Sequence, residues 1–210
     1  LPKVAKPHRL GRAIEFAAMF GHVEIVQLLL EKGNDADYGL EGAARGKQKE
    51  IIQMLLEKGA SPNFGLRGAA EGGHKDVVQY MLEKGAEPDM GLRGAAWGGQ
   101  KDMVLFMLEK GASTISYNEI ATCVKRGYME TAELLLEKTP EPNDVLMDAA
   151  SYGNTKVVQL LLSHPKIDVN KVDFRDKTPL DLAEECSFGD SDCAAVIRAA
   201  GGKRRSELDN

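Results

Sequence analysis

The chain has 210 residues and a net charge of -5, and 43% of its residues are hydrophobic and 28% charged, as in a soluble folded domain or repeat array. This charge disfavours nucleic acid and anionic membranes as partners, because both need a basic surface. No apolar run reaches the roughly 18 residues of a membrane-spanning helix. Three cysteines without a CxxC pair predict reduced thiols in an intracellular, cytoplasmic protein, with a disulfide between Cys186 and Cys193 as the less favoured alternative.

One phrase recurs along the chain, as GLEGAA at 39–44 and as GLRGAA at 65–70 and 91–96. Aligned on its second alanine, the phrase and its weaker copies are spaced by 26, 26, 26, 28, 26 and 34 residues. A fixed period in this range indicates a repeat array. The predicted repeats lie near 11–36, 37–62, 63–88, 89–114, 115–142, 143–170 and 171–202, followed by a polar tail at 203–210.

Each repeat contains a short apolar segment, a turn with glycine, and a longer segment with helical periodicity. In the third repeat the apolar stripe consists of Val77, Val78, Met81 and Leu82, and Gly85 follows as a helix stop. Helices of about ten residues are marginal alone, so each pair must bury its stripe against the next one. The pattern therefore predicts stacked helix-turn-helix pairs. The strand phrase of leucine-rich repeats is absent, and the tetratricopeptide period of about 34 residues does not fit.

These residues resemble the ankyrin-repeat family. The resemblance rests on the Ala-Ala-x-x-Gly-His turns at 17–22 and 69–74 and on the Thr-Pro-Leu phrase at 178–180. A typical ankyrin repeat has about 33 residues, so the shorter repeats lack about seven, which belong to the β-hairpin between units. We expect an all-α ankyrin-repeat solenoid with a hairpin-like loop only near 167–178. Shortened repeats also resemble those of effectors of intracellular bacteria and of large amoebal viruses, which would place the chain in a host cell's cytoplasm.

The repeated phrase contains two glycines, for which we expect different roles. The first should permit a tight reversal between units in place of the hairpin; it stands at Gly39, Gly65 and Gly91. The second costs roughly 1 kcal/mol of helix propensity relative to alanine, so we expect a neighbouring backbone to approach it closely. It stands at Gly42, Gly68 and Gly94.

Function in a solenoid usually lies where the repeats differ on one face. Trp97, the only tryptophan, follows Ala-Ala where the preceding repeat has Glu71, and the resemblance implies that this position faces the concave groove. Arg93 can lie over the Trp97 ring. The alternative is that Trp97 packs into space left by the missing hairpins. The candidate partner-binding residues are Phe20, Arg45, Arg67, Glu71, Arg93, Trp97, Lys125 and Tyr152.

Charged pairs one helical turn apart accompany these positions. Glu41 can pair with Arg45 and Arg67 with Glu71, and we expect the second to be a solvated pair of little energetic weight. Separately, we expect a packing ladder at the unit junctions, and His22 and His74 to bond backbone groups, as the resemblance implies. The ladder consists of Tyr38, Phe64 and Met90.

No motif of a catalytic, metal or phosphate site occurs, so we expect no cofactor and no enzymatic activity. The resemblance implies a monomeric protein–protein interaction module that grips an unknown protein partner along the concave face. Two alternatives stay open. The chain, which begins at Leu1 rather than Met, could be the targeting or substrate-recruiting domain of a larger enzyme or bacterial effector. It could also be a structural spacer.

Overall fold

The computed structural model describes residues 7–187 and 192–209, and of residues 7–10 the backbone only. Over these ranges it contains fifteen α-helices and no strand, which confirms the all-α prediction. The chain divides into two compact units, Leu1–Thr114 and Ile115–Asn210.

The first unit consists of four helix pairs, in each of which a first helix is followed by a short turn and a second helix. The pairs are α1 (Pro7–Met19) with α2 (Val23–Glu31), α3 (Ala36–Arg45) with α4 (Lys49–Glu57), α5 (Pro62–Glu71) with α6 (Lys75–Glu83), and α7 (Pro88–Gly98) with α8 (Lys101–Glu109). Each first helix packs on the first helices of its neighbours. This is the predicted stack.

The apolar stripe of each helix pair lies in the core of the stack. Leu40, Leu66 and Leu92, the leucines of the repeated phrase, are completely buried. In α6 the side chains of Val78 and Met81 are buried as the periodicity predicts. The second helices end where predicted too, because Gly85 and its counterparts adopt positive φ just after the helix, a conformation that glycine accepts without strain.

The second glycine of the phrase lies where one first helix touches the next. A Cβ added to Gly68 would lie 2.0 Å from the carbonyl oxygen of Glu41 in α3, so any side chain would push the two helices apart. Gly42 has the same relation to Glu15, also at 2.0 Å. The predicted close backbone approach is therefore confirmed. A second glycine one turn later, such as Gly46, extends the contact, since its added Cβ would lie 2.0 Å from the Met19 carbonyl oxygen.

The prediction for the first glycine of the phrase is wrong. Gly39, Gly65 and Gly91 lie inside α3, α5 and α7 with ordinary helical φ. Each of these helices begins three residues before its glycine, at an alanine or proline that follows an extended residue. Side-chain packing rather than backbone conformation favours glycine there. An added Cβ on Gly91 would lie 2.2 Å from Sδ of Met107 in the second helix of the same repeat.

Asp and Asn side chains fasten the joins between repeats. At the second position of each of three first helices, the side chain accepts a backbone N–H from the chain entering the next repeat. Asp37 accepts from Ser61 at 2.7 Å, and Asn63 accepts from Glu87 at 2.8 Å. Asp89 accepts from both Ser113 and Thr114. These bonds satisfy backbone donors of the short connections between repeats.

Aromatic side chains line the same joins. The rings of Tyr38 and Phe64 meet edge to face with centroids 6.0 Å apart, and the guanidinium of Arg67 lies 5.2 Å from the Phe64 centroid. Sδ of Met90 lies 3.8 Å from Nη1 of Arg93. The predicted ladder is thus seen as a ring contact between its first two members.

The second unit contains shorter and less regular pairs. Its helices are α9 (Tyr117–Arg126), α10 (Met129–Lys138), α11 (Pro142–Ser151), α12 (Thr155–Leu162), α13 (Pro179–Glu185), α14 (Cys193–Ala199) and α15 (Arg205–Leu208). The loop before α13 makes the expected hairpin-like turn without forming a strand. In it the Asp173 N–H donates to the Lys177 carbonyl at 2.9 Å, and the Asp173 carboxylate accepts the N–H groups of Arg175 and Lys177.

The polar tail is more ordered than a solvated tail would be. Asp181 closes a capping box with Thr178 at the start of α13, and its carboxylate also accepts the backbone N–H of Arg205 at 3.0 Å. Arg204 and Arg205 pair with carboxylates, among them Glu184. Two of the three basic side chains of the tail therefore pair with carboxylates of the same unit.

Candidate functional site

The position after Ala-Ala lies at the C-terminal end of each first helix and carries a different side chain in each repeat of the first unit. We call this position, together with the residue four places earlier, the slot face. In the first unit it consists of Glu15 and Met19, Glu41 and Arg45, Arg67 and Glu71, and Arg93 and Trp97.

Arg45 is the centre of an ion network on the slot face. Its guanidinium contacts carboxylates of three successive first helices, Glu15 at 2.6 Å, Glu41 at 3.1 Å and Glu71 at 2.8 Å. These four side chains are only 8–20% exposed. Burial alone would lower the pKa of Arg45, but the hydrogen bond to Glu15 and the three carboxylates outweigh it and raise that pKa.

Arg67 extends the network in the same way. It pairs with Glu41 of the preceding repeat, with Nε 3.0 Å from Oε1 and a shorter second contact. We expected Arg67 and Glu71 to form a solvated pair. Glu71 is not solvated, because its side chain is 85% buried and bonds Arg45 of the preceding repeat. Adjacent first helices lie so close at their glycines that charged side chains reach across repeats as readily as along one helix.

The N-cap side chains of the second helices form hydrogen bonds with the backbone carbonyls of the slot positions. Nε2 of His74 lies 2.9 Å from the carbonyl oxygen of Arg45, as predicted for a histidine that bonds backbone. Gln100 donates to the Glu71 carbonyl at 3.3 Å, and Gln48 donates to the Met19 carbonyl at 3.2 Å. This role of the glutamines was not predicted from the sequence, although they occupy the position that histidine has in the other repeats.

Trp97 ends the slot face of the first unit with an exposed aromatic surface. Its side chain is 48% exposed, whereas Glu71 in the equivalent position is largely buried in the network. Arg93, one turn earlier on α7, is also exposed. The first unit therefore presents a half-buried charged network followed by an open aromatic and cationic end.

Phe20 does not lie on the slot face. Its counterparts one and two repeats later are Gly46 and Gly72, which face the backbone of the preceding first helix. One residue along a helix is a rotation of about 100°, which carries Phe20 from the slot to the side that faces the preceding repeat. Phe20 therefore lies beside the slot face rather than on it, and its role as a partner contact stays a prediction.

In the second unit, Lys125 is exposed on α9 in the slot position. Tyr152 instead stacks on Tyr117 with ring centroids 5.1 Å apart, so it too lies against the preceding repeat, although much of it stays exposed. Asn154 donates to the Tyr117 hydroxyl at 3.1 Å. Burial raises the pKa of Tyr117 despite this bond.

The groups that could do chemistry are few. In the described part of the chain no three His, Cys, Asp or Glu side chains come together as metal ligands. All three cysteines are free thiols, and burial together with Glu119 raises the pKa of Cys123 to about 12, so it is a poor nucleophile. None of the described helices is both long and apolar enough to cross a bilayer.

Comparisons with known families match both ends of the array. A profile described as ankyrin repeats, in three copies, matches residues 120–203, and a single ankyrin repeat profile matches residues 13–39. No curated protein matches the chain in sequence. Ankyrin repeats are generally protein–protein interaction modules and typically are not catalytic. The shortened repeats between the two matches form the same stacked helix pairs, and the chain as a whole belongs to the ankyrin-repeat family.

Proposed function

We propose that the chain is a protein–protein interaction module that binds a partner protein through the open end of the slot face in the first unit. Arg93 and Trp97 are the anchors. The observation that carries this proposal is the exposure of Trp97 at a position where the two preceding repeats hold half-buried charges, Arg45 and Glu71. Exposed tryptophan and arginine are the residue types enriched at binding hot spots.

The ion network fixes the first helices that precede these anchors. Arg45, Arg67 and Glu71 are committed to contacts within the unit, so their role in binding is to hold the first helices in register rather than to anchor the partner. A rigid site loses less conformational entropy when the partner binds. Lys125 and Tyr152 are candidate contacts of the second unit in their own right.

The module has no reaction of its own in this proposal, and it acts inside a cell. Three free thiols in one chain support a reducing compartment. The net charge of -5 supports a protein partner rather than nucleic acid or an anionic membrane.

A library of random peptides displayed on phage tests the proposed site without knowledge of the partner. Selection on the wild-type chain should yield peptides that bind the double variant Arg93→Ala/Trp97→Ala at least about tenfold more weakly, the loss of one hot spot. Tyr80→Ala is the matched control, because Tyr80 is an exposed aromatic residue on a second helix. Peptides that bind wild type, control and double variant alike would contradict the proposal and favour a structural spacer.

A further inference from the structure

The net charge of the chain is confined to the second unit. Residues 115–210 carry 17 Asp and Glu and 12 Lys and Arg, whereas residues 1–114 carry 15 of each kind. The second unit is therefore acidic, with the whole net charge of -5, and the first unit is neutral. A surface of one sign attracts a partner of the other sign, so the second unit favours a basic partner.

The acidic unit contains an aromatic surface that is both exposed and fixed. Tyr152 follows the last residue of α11, and its ring lies nearly parallel to that of Tyr117, with 11° between the ring planes and 5.1 Å between the centroids. The Tyr117 hydroxyl accepts a hydrogen bond from Asn154 at 3.1 Å, which holds that ring in place. Tyr152 is 64% exposed although Tyr117 covers one face of its ring, so the other face is open to solvent.

A carboxylate lies one helical turn before this ring. The Tyr152 N–H donates to the Asp148 carbonyl at 3.0 Å, so the two side chains share one face of α11, with their Cβ atoms about 5–6 Å apart. Burial raises the pKa of Tyr117, and the charge of Asp148 adds to this rise. The carboxylate therefore lies within electrostatic range of the stacked rings.

The Asp148 carboxylate is not neutralised by the chain. Burial and then Asp144 raise the pKa of Asp148, and the charge of Arg175 opposes them only in part. Arg175 itself pairs with Asp173 at 3.0 Å, and Lys171 pairs with Asp144 at 3.3 Å. Within the described part of the chain, no side chain forms an ion pair with Asp148.

The chain itself shows what a ring and a neighbouring carboxylate can hold. The guanidinium of Arg67 lies 5.2 Å from the Phe64 centroid, while its Nε donates to Glu41 at 3.0 Å. Arg175 repeats the arrangement, with its guanidinium 5.4 Å from the Phe174 centroid and paired with a carboxylate. A guanidinium is planar, so it can lie over a ring while the N–H groups at its edge reach a carboxylate beside that ring.

We propose that Asp148 and Tyr152 form a binding site for an arginine side chain of a partner protein. The guanidinium lies over the open face of the Tyr152 ring and donates to the Asp148 carboxylate, and Tyr117 supports the other face of the ring. Lysine fits less well, because its ammonium is a compact, strongly hydrated charge without a planar surface. The site goes beyond the proposed function, since it neither requires nor excludes binding at Arg93 and Trp97.

An NMR titration of the whole chain, isotopically labelled in its tyrosine rings, tests the proposal with N-acetyl-arginine amide as the probe. The ring signals of Tyr152 and Tyr117 should shift saturably, with a Kd in about the millimolar range for a single side chain. The signals of Tyr38 and Tyr80 in the first unit should not move. N-acetyl-citrulline amide, which has nearly the same shape and no charge, should cause no saturable shift.

Two variants separate the carboxylate from the ring. Asp148→Asn removes the charge at nearly constant shape and should weaken binding of the arginine probe about fivefold or more. Tyr152→Leu removes the ring and should weaken binding about threefold or more, followed at the Tyr117 signals. Asp144→Asn is the matched control, because it removes the same charge one turn earlier on α11, where Lys171 pairs with it. It should change the Kd by less than about twofold.

Circular dichroism should show that all variants keep their helices. Tyr152 signals that do not shift saturably with the arginine probe would overturn the proposal, as would equal shifts with the citrulline probe. A loss at Asp148→Asn no larger than the loss at Asp144→Asn would also contradict it. If N-acetyl-lysine amide binds as tightly as the arginine probe, the assignment to arginine is wrong. None of these results bears on the slot face, which the phage selection tests separately.

Discussion

The two units use different means to hold the same kind of helix pair. In the first unit, adjacent first helices touch through glycines such as Gly42 and Gly68, and a network centred on Arg45 joins three of them. In the second unit, the counterparts of Gly42 and Gly46 in α11 are Asp148 and Tyr152. There, side-chain hydrogen bonds define the helix starts, at Ser116, Asn154 and Thr178.

The difference follows from the spacing of the repeats. A constant period of 26 residues brings the same glycine to the same carbonyl at each interface, so one backbone contact serves the whole first unit. The second unit has repeats of unequal length, for which no such contact can recur. Three of its helices, α9, α12 and α13, begin at a side chain that accepts a backbone N–H, whereas among α2–α8 of the first unit only α3 does, at Asp35. The first unit thus relies more on close approach, and the second more on capping.

The largest effect that would separate the units is expected from Gly68→Ala. A Cβ at 2.0 Å from a backbone oxygen cannot be accommodated by a rotamer change, so α3 and α5 must move apart. We expect a net loss of about 2–3 kcal/mol in the free energy of unfolding, even after alanine's gain of about 1 kcal/mol in helix propensity. Urea unfolding followed by Trp97 fluorescence, which reports on the first unit, measures it.

Asp148→Ala is the control in the second unit. Position 148 already carries an exposed side chain, so this change should alter unfolding, followed by circular dichroism, by less than about 0.5 kcal/mol. Equal losses at positions 68 and 148 would show that glycine is not what distinguishes the first unit.

A smaller effect is expected from Arg45→Ala. The variant leaves three largely buried carboxylates without their shared cation, and we expect it to destabilise the first unit by about 2 kcal/mol. In the second unit, Lys171→Ala removes an exposed pair with Asp144 and should cost less than about 0.5 kcal/mol. Urea unfolding of both variants at low and at high salt measures the contrast. Equal small losses would mean that the network contributes no more than a surface pair.

The smallest effect is expected from Asp181→Asn, which weakens the capping box of α13. Burial would raise the pKa of Asp181, but the N–H groups of Thr178 and Arg205 outweigh it and hold that pKa below its usual value. The aspartate thus stabilises the fold at neutral pH, and this contribution of about 1 kcal/mol is lost as the pH falls through the folded-state pKa. Wild type and variant should differ at pH 7, and the difference should begin to shrink as the pH falls below the unfolded-state pKa of about 4.

Ser61→Ala is the corresponding control in the first unit. Ser61 is the N-cap of α5, but its side chain makes no capping bond. Thermal unfolding of this variant should match the wild type at both pH values. A clear loss at Ser61, or an Asp181→Asn difference that is as large at pH 3 as at pH 7, would contradict these assigned capping roles.

Most of the fold could be predicted from the sequence, because the period and the apolar stripe are local signals. The second glycine of the phrase was also predictable, since glycine inside a helix lowers its propensity and therefore needs a compensating contact. The role of Gly91 was not, because the helix begins three residues earlier than the phrase suggests and Met107 lies over it. The Asp and Asn bonds between repeats were missed, although one such residue recurs early in successive first helices.

The candidate site was predicted less completely. The exposure of Trp97 follows from its exchange with Glu71 between sister repeats, because no core position accepts both. The pair of Glu41 and Arg45 along α3 was predicted and is confirmed. The pairs of Arg45 with Glu15 and Glu71, and of Arg67 with Glu41, could not be predicted in this way, since they lie across repeats at a distance that only the packed glycines set. Phe20 faces a different side from Met19, because one position along a helix turns a side chain by about 100°.

The glycine contact has a consequence for how such a chain can change in length. At each interface of the first unit a glycine, which has no Cβ, lies against a main-chain oxygen. The fit does not depend on which residue supplies that oxygen. Excision of one whole 26-residue cassette would bring Gly94 against the oxygen of Glu41 instead of Arg67, with the same steric fit. Whole repeats can thus be gained or lost by recombination while the stacking of the helix pairs is kept, and only the order of charges on the slot face would change.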